Sequence, residues 1–194
     1  MRLFIALDID DDIRARIARF VDGVNAFVPD ARWAKAESLH ITLKFIGEQP
    51  EAAVEKIKQA LSAVRATTSE IYFRGYGFFP SAKAARVFWV GTDGGPNLSS
   101  FAAAVDEKLL QLGIPKEEHA FNAHLTLARS GRSASPRQRE NAGPNRVLQH
   151  LQEKLTALSA SEFGTMTARE FFLYQSQTSQ SGSHYTKLAG FALR

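Results

Sequence analysis

The chain has 194 residues, 44% of them hydrophobic, with a formal charge of +4 that permits anionic partners without naming one. That is ordinary globular composition, enough for one large domain or two small lobes, and it excludes a fibrous or wholly disordered chain. The absence of cysteine excludes a disulfide framework, a thiolate nucleophile and a cysteine metal site, and suits a reducing interior.

Residues 2 to 8 read as a strand. Its apolar part, Leu3-Phe4-Ile5-Ala6-Leu7, is brief and runs into Asp8, Asp10, Asp11 and Asp12, so it is read neither as a signal peptide nor as a membrane segment. No apolar run reaches transmembrane length. Residues 11 to 27 read as a helix with Ile13, Ile17, Phe20, Val21 and Val24 on one face. A strand follows at about 39 to 46. Pro50 then opens a helix carrying Val54, Ile57, Leu61 and Val64, and residues 71 to 79 read as a strand.

The same order recurs beyond residue 80. Residues 86 to 91 read as a strand, 97 to 112 as a helix ended by Gly113, and about 121 to 128 as a strand. A helix near 145 to 158 runs through Val147, Leu148, Leu151, Leu155 and Leu158. Residues 166 to 174 read as a strand, and a last strand spans about 184 to 193 as an extra hairpin arm. Residues 130 to 145, rich in Arg, Ser, Gly and Pro, read as a mobile loop. This is the pattern of an internal duplication, with halves at about 1 to 80 and 81 to 194, in one bilobal domain. Duplicated lobes tend to pack about a pseudo-two-fold axis with a cleft on it. Which lobe takes the terminal strands is not legible at this level.

The duplication carries a motif. Leu39-His40-Ile41-Thr42-Leu43 is matched by Ala123-His124-Leu125-Thr126-Leu127. With five histidines and ten threonines, about a quarter of one His-x-Thr triplet is expected by chance. A third, His184-Tyr185-Thr186, comes after a Gln/Ser/Gly stretch and is read as the chance member. In the other two, strand alternation points His and Thr to one face and the aliphatic residues to the other. Two such strands facing each other place two imidazoles and two hydroxyls around one pocket, an arrangement suited to moving protons across a phosphoryl group.

The surrounding residues carry a resemblance. Arg32-Trp33 followed by Glu37-Ser38-Leu39-His40-Ile41-Thr42-Leu43-Lys44-Phe45-Ile46-Gly47 resembles the first signature of the 2H phosphoesterase superfamily, in its RNA 2′,3′-cyclic phosphodiesterase (2′-5′ RNA ligase) branch. Arg86 to Gly91, Phe121 to Arg129, and Leu173-Tyr174-Gln175-Ser176 with Gly182 and Tyr185 agree in order and spacing. One position departs. The residue before the second His is usually Pro in this branch and is Ala123 here, which leaves the catalytic side chains in place.

The resemblance implies an α+β fold of two pseudo-symmetric lobes, each an antiparallel sheet with helices packed outside, around a central cleft. It implies hydrolysis of RNA 2′,3′-cyclic phosphate ends to 2′-phosphates with no cofactor and no metal, and possible reversible 2′-5′ ligation. The implied partner is RNA bearing such ends, tRNA fragments among them, met by a monomer in the cytoplasm. By similarity His40 is the proton donor to the leaving oxygen and His124 the proton acceptor from water, while Thr42 and Thr126 hold the non-bridging oxygens. A non-catalytic RNA-end-binding protein, or an enzyme for small cyclic nucleotides, remains as an alternative.

Further substrate-binding candidates each have a plain structural reading. Arg129, three residues after Thr126, either reaches a phosphate or is a solvent-facing strand end. Lys44 shares the parity of His40 and Thr42, and so either lines the same face or is a surface lysine. Arg86 and Trp89 are candidates too, with Trp89 better read as core. Phe45, Tyr76, Phe78 and Phe79 either stack a base or pack the core. Arg132, Arg137 and Arg139 either track an RNA backbone or solvate a loop.

Overall fold

The computed structural model describes residues 1–81, 85–130, 146–155, 161–179 and 182–193. Among these, nine strands join into one antiparallel sheet. In chain order the elements are β1 (Arg2–Asp8), α1 (Asp11–Val24), β2 (Arg32–Trp33), β3 (His40–Glu48), α2 (Val54–Ser62), β4 (Ser69–Phe79), β5 (Val87–Asp93), α3 (Gly95–Leu110), β6 (His124–Arg129), α4 (Arg146–Leu155), β7 (Glu162–Ala168), β8 (Glu170–Ser179) and β9 (Gly182–Ala192).

The helices form where an apolar stripe recurs at helical spacing. In α1, Ile13, Ile17 and Val24 are buried, and Asp11 and Asp12 in the first turn complement the helix dipole. The helix stops at Val24 and continues as a 3-10 turn over Asn25–Phe27, so the expected single helix to residue 27 is two elements. Helix α3 buries Leu98, Phe101, Ala102, Val105 and Leu109, and Gly113 beyond it has φ +79, open to glycine without strain. The expected loop at 130 to 145, apart from Ser130, and the stretch 156–160 that holds Leu158 lie outside the described residues.

The sheet order is β7-β4-β5-β6-β3-β1-β8-β9, with β2 paired to β6 off this path. The two halves, β3-β1-β8-β9 and β6-β5-β4-β7, read outward from the middle in equivalent order. Strand β4, the last strand of the first half by sequence, completes the sheet built on β5 and β6, while β8 completes the one built on β1 and β3. The sequence reads residues 166 to 174 as one strand, but the chain changes partner at Arg169. Met166 in β7 pairs with β4 and Tyr174 in β8 pairs with β1, at different places in the sheet.

Among the described residues, the halves meet in the middle through a single strand pair, Ile41 with Leu125. Both are fully buried in the main core, with Ile5, Leu7, Leu43, Phe88, Val90 and Leu127. A second, smaller cluster of Phe4, Ala6, Phe172 and Tyr174 lies apart from it. Ile41→Ala removes buried methyls at this bridge between the halves, and a urea titration is expected to show a loss of about 2–5 kcal/mol. Among the described residues no helix is long and apolar enough to cross a membrane.

Candidate active site

Each His-x-Thr pair opens a strand of the central pair. In β3, His40 and Thr42 are half-buried while Ile41 and Leu43 are buried; in β6, His124 and Thr126 are half-buried while Leu125 and Leu127 are buried. The aliphatic residues therefore anchor both strands in the core and leave the polar ones on one face. Continuing the Ile41–Leu125 register one residue each way sets His40 opposite Thr126 and Thr42 opposite His124. The two histidines become diagonal neighbours, with backbones about 7–8 Å apart. That spacing admits a phosphoryl group between two imidazoles.

Both rings are tethered alike. The Nδ1 of His40 lies 2.7 Å from the carbonyl oxygen of Ser38, and that of His124 lies 2.8 Å from the carbonyl oxygen of Asn122, two residues back in each case. A carbonyl only accepts, so Nδ1 carries the proton, and Nε2 is the atom left to gain or lose one. Burial, the largest influence, lowers the pKa of both rings below the ordinary value; the positive charge of Arg129 lowers both further, and the carbonyl tethers oppose this. His124 lowers His40 slightly, which places the two imidazoles within electrostatic reach of each other.

One asymmetry separates them. Asp8 pairs with His40 across β1 and β3, whereas Gly91 pairs with His124 across β5 and β6. The Asp8 carboxylate raises His40. Burial works against the charge of Asp8, but hydrogen bonds from Lys187 at 2.6 Å, the Ile9 N–H at 2.9 Å and Arg14 at 2.6 Å outweigh it and hold its pKa below the carboxylate norm.

Aromatic rings wall both sides. His40 stands 4.9 Å from Phe4, 6.2 Å from Tyr174 and 5.1 Å, edge to face, from Tyr185. His124 meets Phe79 edge to face at 4.9 Å, and Trp89 at 6.5 Å is stacked on Phe79. Trp89, read from sequence as core, is thus half-buried beside a histidine. Gly77 pairs with Trp89, and a Cβ there would penetrate the indole, so only glycine lets that ring lie across β4.

The candidates after the threonines depend on a bulge. Register shifts leave Leu43 without a partner on β1, between Thr42 and Lys44, and leave Leu127 without one on β5, between Thr126 and Ala128. The extra residue reverses the alternation from that point. Lys44 therefore turns into the core and is 1% exposed, its Nζ 2.5 Å from Asp106 Oδ1 and donating to the Pro115 carbonyl at 2.8 Å. This corrects both readings of Lys44, that it lines the face of His40 and Thr42 or lies at the surface: parity fails across a bulge, and the side chain is buried. The same reversal exposes Phe45 and Arg129, each three residues past its Thr. Phe45 lies 6.4 Å from Phe4, and Arg129 acts on both imidazoles.

Arg86 is exposed at the start of the β5 region, where its carbonyl accepts from the Ser130 N–H at 2.9 Å. Tyr76 donates its hydroxyl to the Leu155 carbonyl at 2.6 Å, and Phe78 stacks on buried Phe88 at 5.0 Å, so both serve packing. Arg132, Arg137 and Arg139 lie outside the described residues. Asp8, Phe4, Tyr174 and Tyr185 are brought to the site without having been singled out for it. Strand register, absent from the sequence pattern, is what draws in Asp8 and Phe4, whereas Tyr174 and Tyr185 stand among the residues that carry the family resemblance, which gave them no role.

The fold and the paired motif place the chain among known proteins. The profile of the family described as LigT like Phosphoesterase matches twice, over residues 7–89 and 90–185, once on each motif. A protein of Archaeoglobus fulgidus named RNA 2′,3′-cyclic phosphodiesterase is 34% identical over 191 residues, 98% of this chain and 99% of that one. One of the same name from Methanothermobacter thermautotrophicus is 29% identical over 100% of this chain and 99% of its own. Among solved structures, a Thermus thermophilus protein superposes with a TM-score of 0.77 at 25% identity, covering 100% of this chain and 98% of that one. E. coli LigT complexed with 3′-AMP superposes with a TM-score of 0.76 at 24% identity, covering 99% and 97%. The chain belongs to the LigT-like, or 2H, phosphoesterase family and is an enzyme of that family.

Proposed function

We propose that the protein hydrolyses the 2′,3′-cyclic phosphodiester at an RNA end to a 2′-phosphomonoester, its two histidines carrying the protons with no metal ion in the reaction. The observation that carries this reading is the pair of imidazoles on adjacent strands, each with Nδ1 tied to a carbonyl and Nε2 left for proton transfer. The names of the Archaeoglobus and Methanothermobacter relatives support the substrate.

In-line displacement needs a base beside the attacking water and an acid beside the departing oxygen, on opposite sides of phosphorus. Water forms the new P–O bond while His124 Nε2 takes its proton. The P–O3′ bond breaks, its electron pair stays on O3′, and His40 Nε2 protonates that oxygen. Asp8 opposite His40, against Gly91 opposite His124, favours His40 as the ring that holds a proton at the outset. Thr42 and Thr126 donate to the non-bridging oxygens, where charge builds, and Arg129 adds a positive charge. The same proposal takes tRNA fragments as one source of such ends, a monomeric enzyme in the cytoplasm, and 2′-5′ joining as the same displacement with an RNA 5′-hydroxyl in place of water. In joining, His124 takes the hydroxyl proton as the P–O5′ bond forms, the P–O3′ bond breaks and His40 protonates O3′, and cleavage of the 2′-5′ linkage is the reverse.

The test is to incubate the pure protein, in EDTA, with a short RNA ending in a 2′,3′-cyclic phosphate and to identify the terminal phosphate. A 2′-phosphate is expected, at a rate unchanged by the chelator. An intact cyclic end with folded protein overturns the reading. Tight binding without turnover then points to an RNA-end-binding protein, and turnover of small cyclic nucleotides alone points to a different substrate in the same family.

A further inference from the structure

The two histidine tethers are alike, but their surroundings are not. Ser38, whose carbonyl holds His40 Nδ1, ends a 3-10 turn over Ala36–Ser38. The start of α1 reaches that turn through Arg14. Its Nη1 donates to the Ala36 carbonyl at 2.5 Å, while Nη2 donates to Asp8 Oδ1 at 2.6 Å and to the Ile9 carbonyl at 3.0 Å. The Ala36 carbonyl also accepts from the Leu39 N–H at 3.2 Å, the bond that closes the turn on the residue before His40. One planar guanidinium thus spans the end of β1 and the turn before β3. In the other half the corresponding gap, between the start of α3 and the segment leading to His124, is an open pocket. Gly94, Gly95 and Leu98 line it on one side and Phe121, Asn122 and Ala123 on the other.

Packing alone does not call for this arginine. Its side chain is 18% exposed, and taking a guanidinium that far out of water costs stability unless its donors are met. The fold leaves the matching gap in the second half open, and the first turn of α3, Gly95-Pro96-Asn97-Leu98, has no cation to place there. What else differs is the strand neighbour: Asp8 is opposite His40, whereas Gly91 is opposite His124. A carboxylate beside a site for a phosphoryl group repels the substrate unless cations accompany it. Asp8 has one on each oxygen, Arg14 on Oδ1 and Lys187 on Oδ2. Lys187 brings charge from β9; Arg14 brings charge and, through Ala36, a hold on the turn.

We propose that Arg14 is a positioning residue for His40, setting at once the carbonyl that orients the ring and the carboxylate opposite it. The inference rests on the reading of His40 as a proton carrier and names the group that keeps its Nε2 aimed. His40 is also faced by His124 and Arg129 from β6, by Tyr174 from β8 and by Tyr185 from β9. A substitution at residue 14 leaves all four in the sequence. The Ser38 carbonyl and the Asp8 carboxylate each favour the protonated ring. Loosening them therefore makes His40 titrate at lower pH, whereas removing a positive charge and nothing else makes it titrate at higher pH.

That difference in sign is the test. Wild type, Arg14→Gln and Arg14→Lys are compared by kcat and KM on a short RNA with a 2′,3′-cyclic phosphate end, and by a nitrogen-NMR pH titration of the imidazoles. Arg14→Gln is expected to lower kcat roughly ten- to a hundred-fold with KM little changed. In the same variant His40 titrates at lower pH and loses its fixed Nδ1–H tautomer, while His124 stays as in wild type. Arg14→Lys keeps the charge without the planar fork, so it falls between the two, and it carries the test should Arg14→Gln fail to fold. A His40 that titrates at higher pH in Arg14→Gln reduces Arg14 to a counter-charge for Asp8 and overturns the positioning. Equal shifts of both rings, a wild-type kcat in Arg14→Gln, or full wild-type behaviour of Arg14→Lys overturns it as well. If wild type leaves the cyclic phosphate intact, the cyclic phosphodiesterase reading fails instead, and the titration still decides whether Arg14 holds the ring.

Discussion

Replacing His40 or His124 by alanine is expected to lower kcat by about two to four powers of ten, the usual worth of a positioned acid or base, with the thermal midpoint little changed. Neither ring belongs to the main core, so the fold does not depend on it. No second imidazole stands ready to replace either one: His119 and His150 lie outside β3 and β6, and His184 lies on β9. The two variants differ in what relieves them. With His40 as the proposed acid, a substrate whose leaving oxygen departs without needing a proton is expected to restore His40→Ala and leave His124→Ala slow. The reverse pattern would exchange the two roles. Thr42→Ala and Thr126→Ala fall short of either histidine loss, since each removes one hydrogen bond to charge that Arg129 and the other hydroxyl still meet. Equal kcat in wild type and both histidine variants would remove the paired-histidine site altogether.

Much of this site is legible in the sequence because it obeys the shortest rule a strand has. His40, Thr42, His124 and Thr126 alternate with buried Ile41, Leu43, Leu125 and Leu127 as the period of two requires. Lys44 is misplaced when that rule is extended one step too far. A bulge is made by pairing with the neighbouring strand, and nothing in Thr42-Leu43-Lys44 marks Leu43 as the residue that β1 passes over. Asp8 is hidden for a related reason: it becomes a neighbour of His40 only once the register of β1 on β3 is set. The helices are legible from their apolar stripes to within a few residues. The crossing of β4 and β8 between halves of the sheet is not, because each strand is apolar enough to be buried beside either β1 or β5. Local pattern gives an element and its buried face; partner choice is a property of the assembled sheet.

The pH dependence of kcat/KM is expected to be a bell centred below 6.5, the ordinary value for a free imidazole. Burial holds both rings below that value, and Arg129 pushes both the same way. In the proposed mechanism the competent enzyme has one ring protonated and the other neutral. As pH rises through the upper of the two apparent values, the acid loses its proton and activity falls about ten-fold per unit, so two units beyond it the loss is about a hundred-fold. As pH falls through the lower value, the base is protonated and activity falls again. These values belong to the pair, since His40 and His124 feel each other. Two substitutions fix the sign. Arg129→Gln removes a positive charge that disfavours the imidazolium, so both limbs move to higher pH even as affinity for the phosphate drops. Asp8→Asn removes a negative charge that favours protonated His40, so the limb owed to His40 moves to lower pH; if His40 is the acid, that is the alkaline limb and the bell narrows. A narrowing with Asp8→Asn assigns the acid to His40, a broadening assigns it to His124, and a profile that rises monotonically with pH would falsify proton transfer by two histidines.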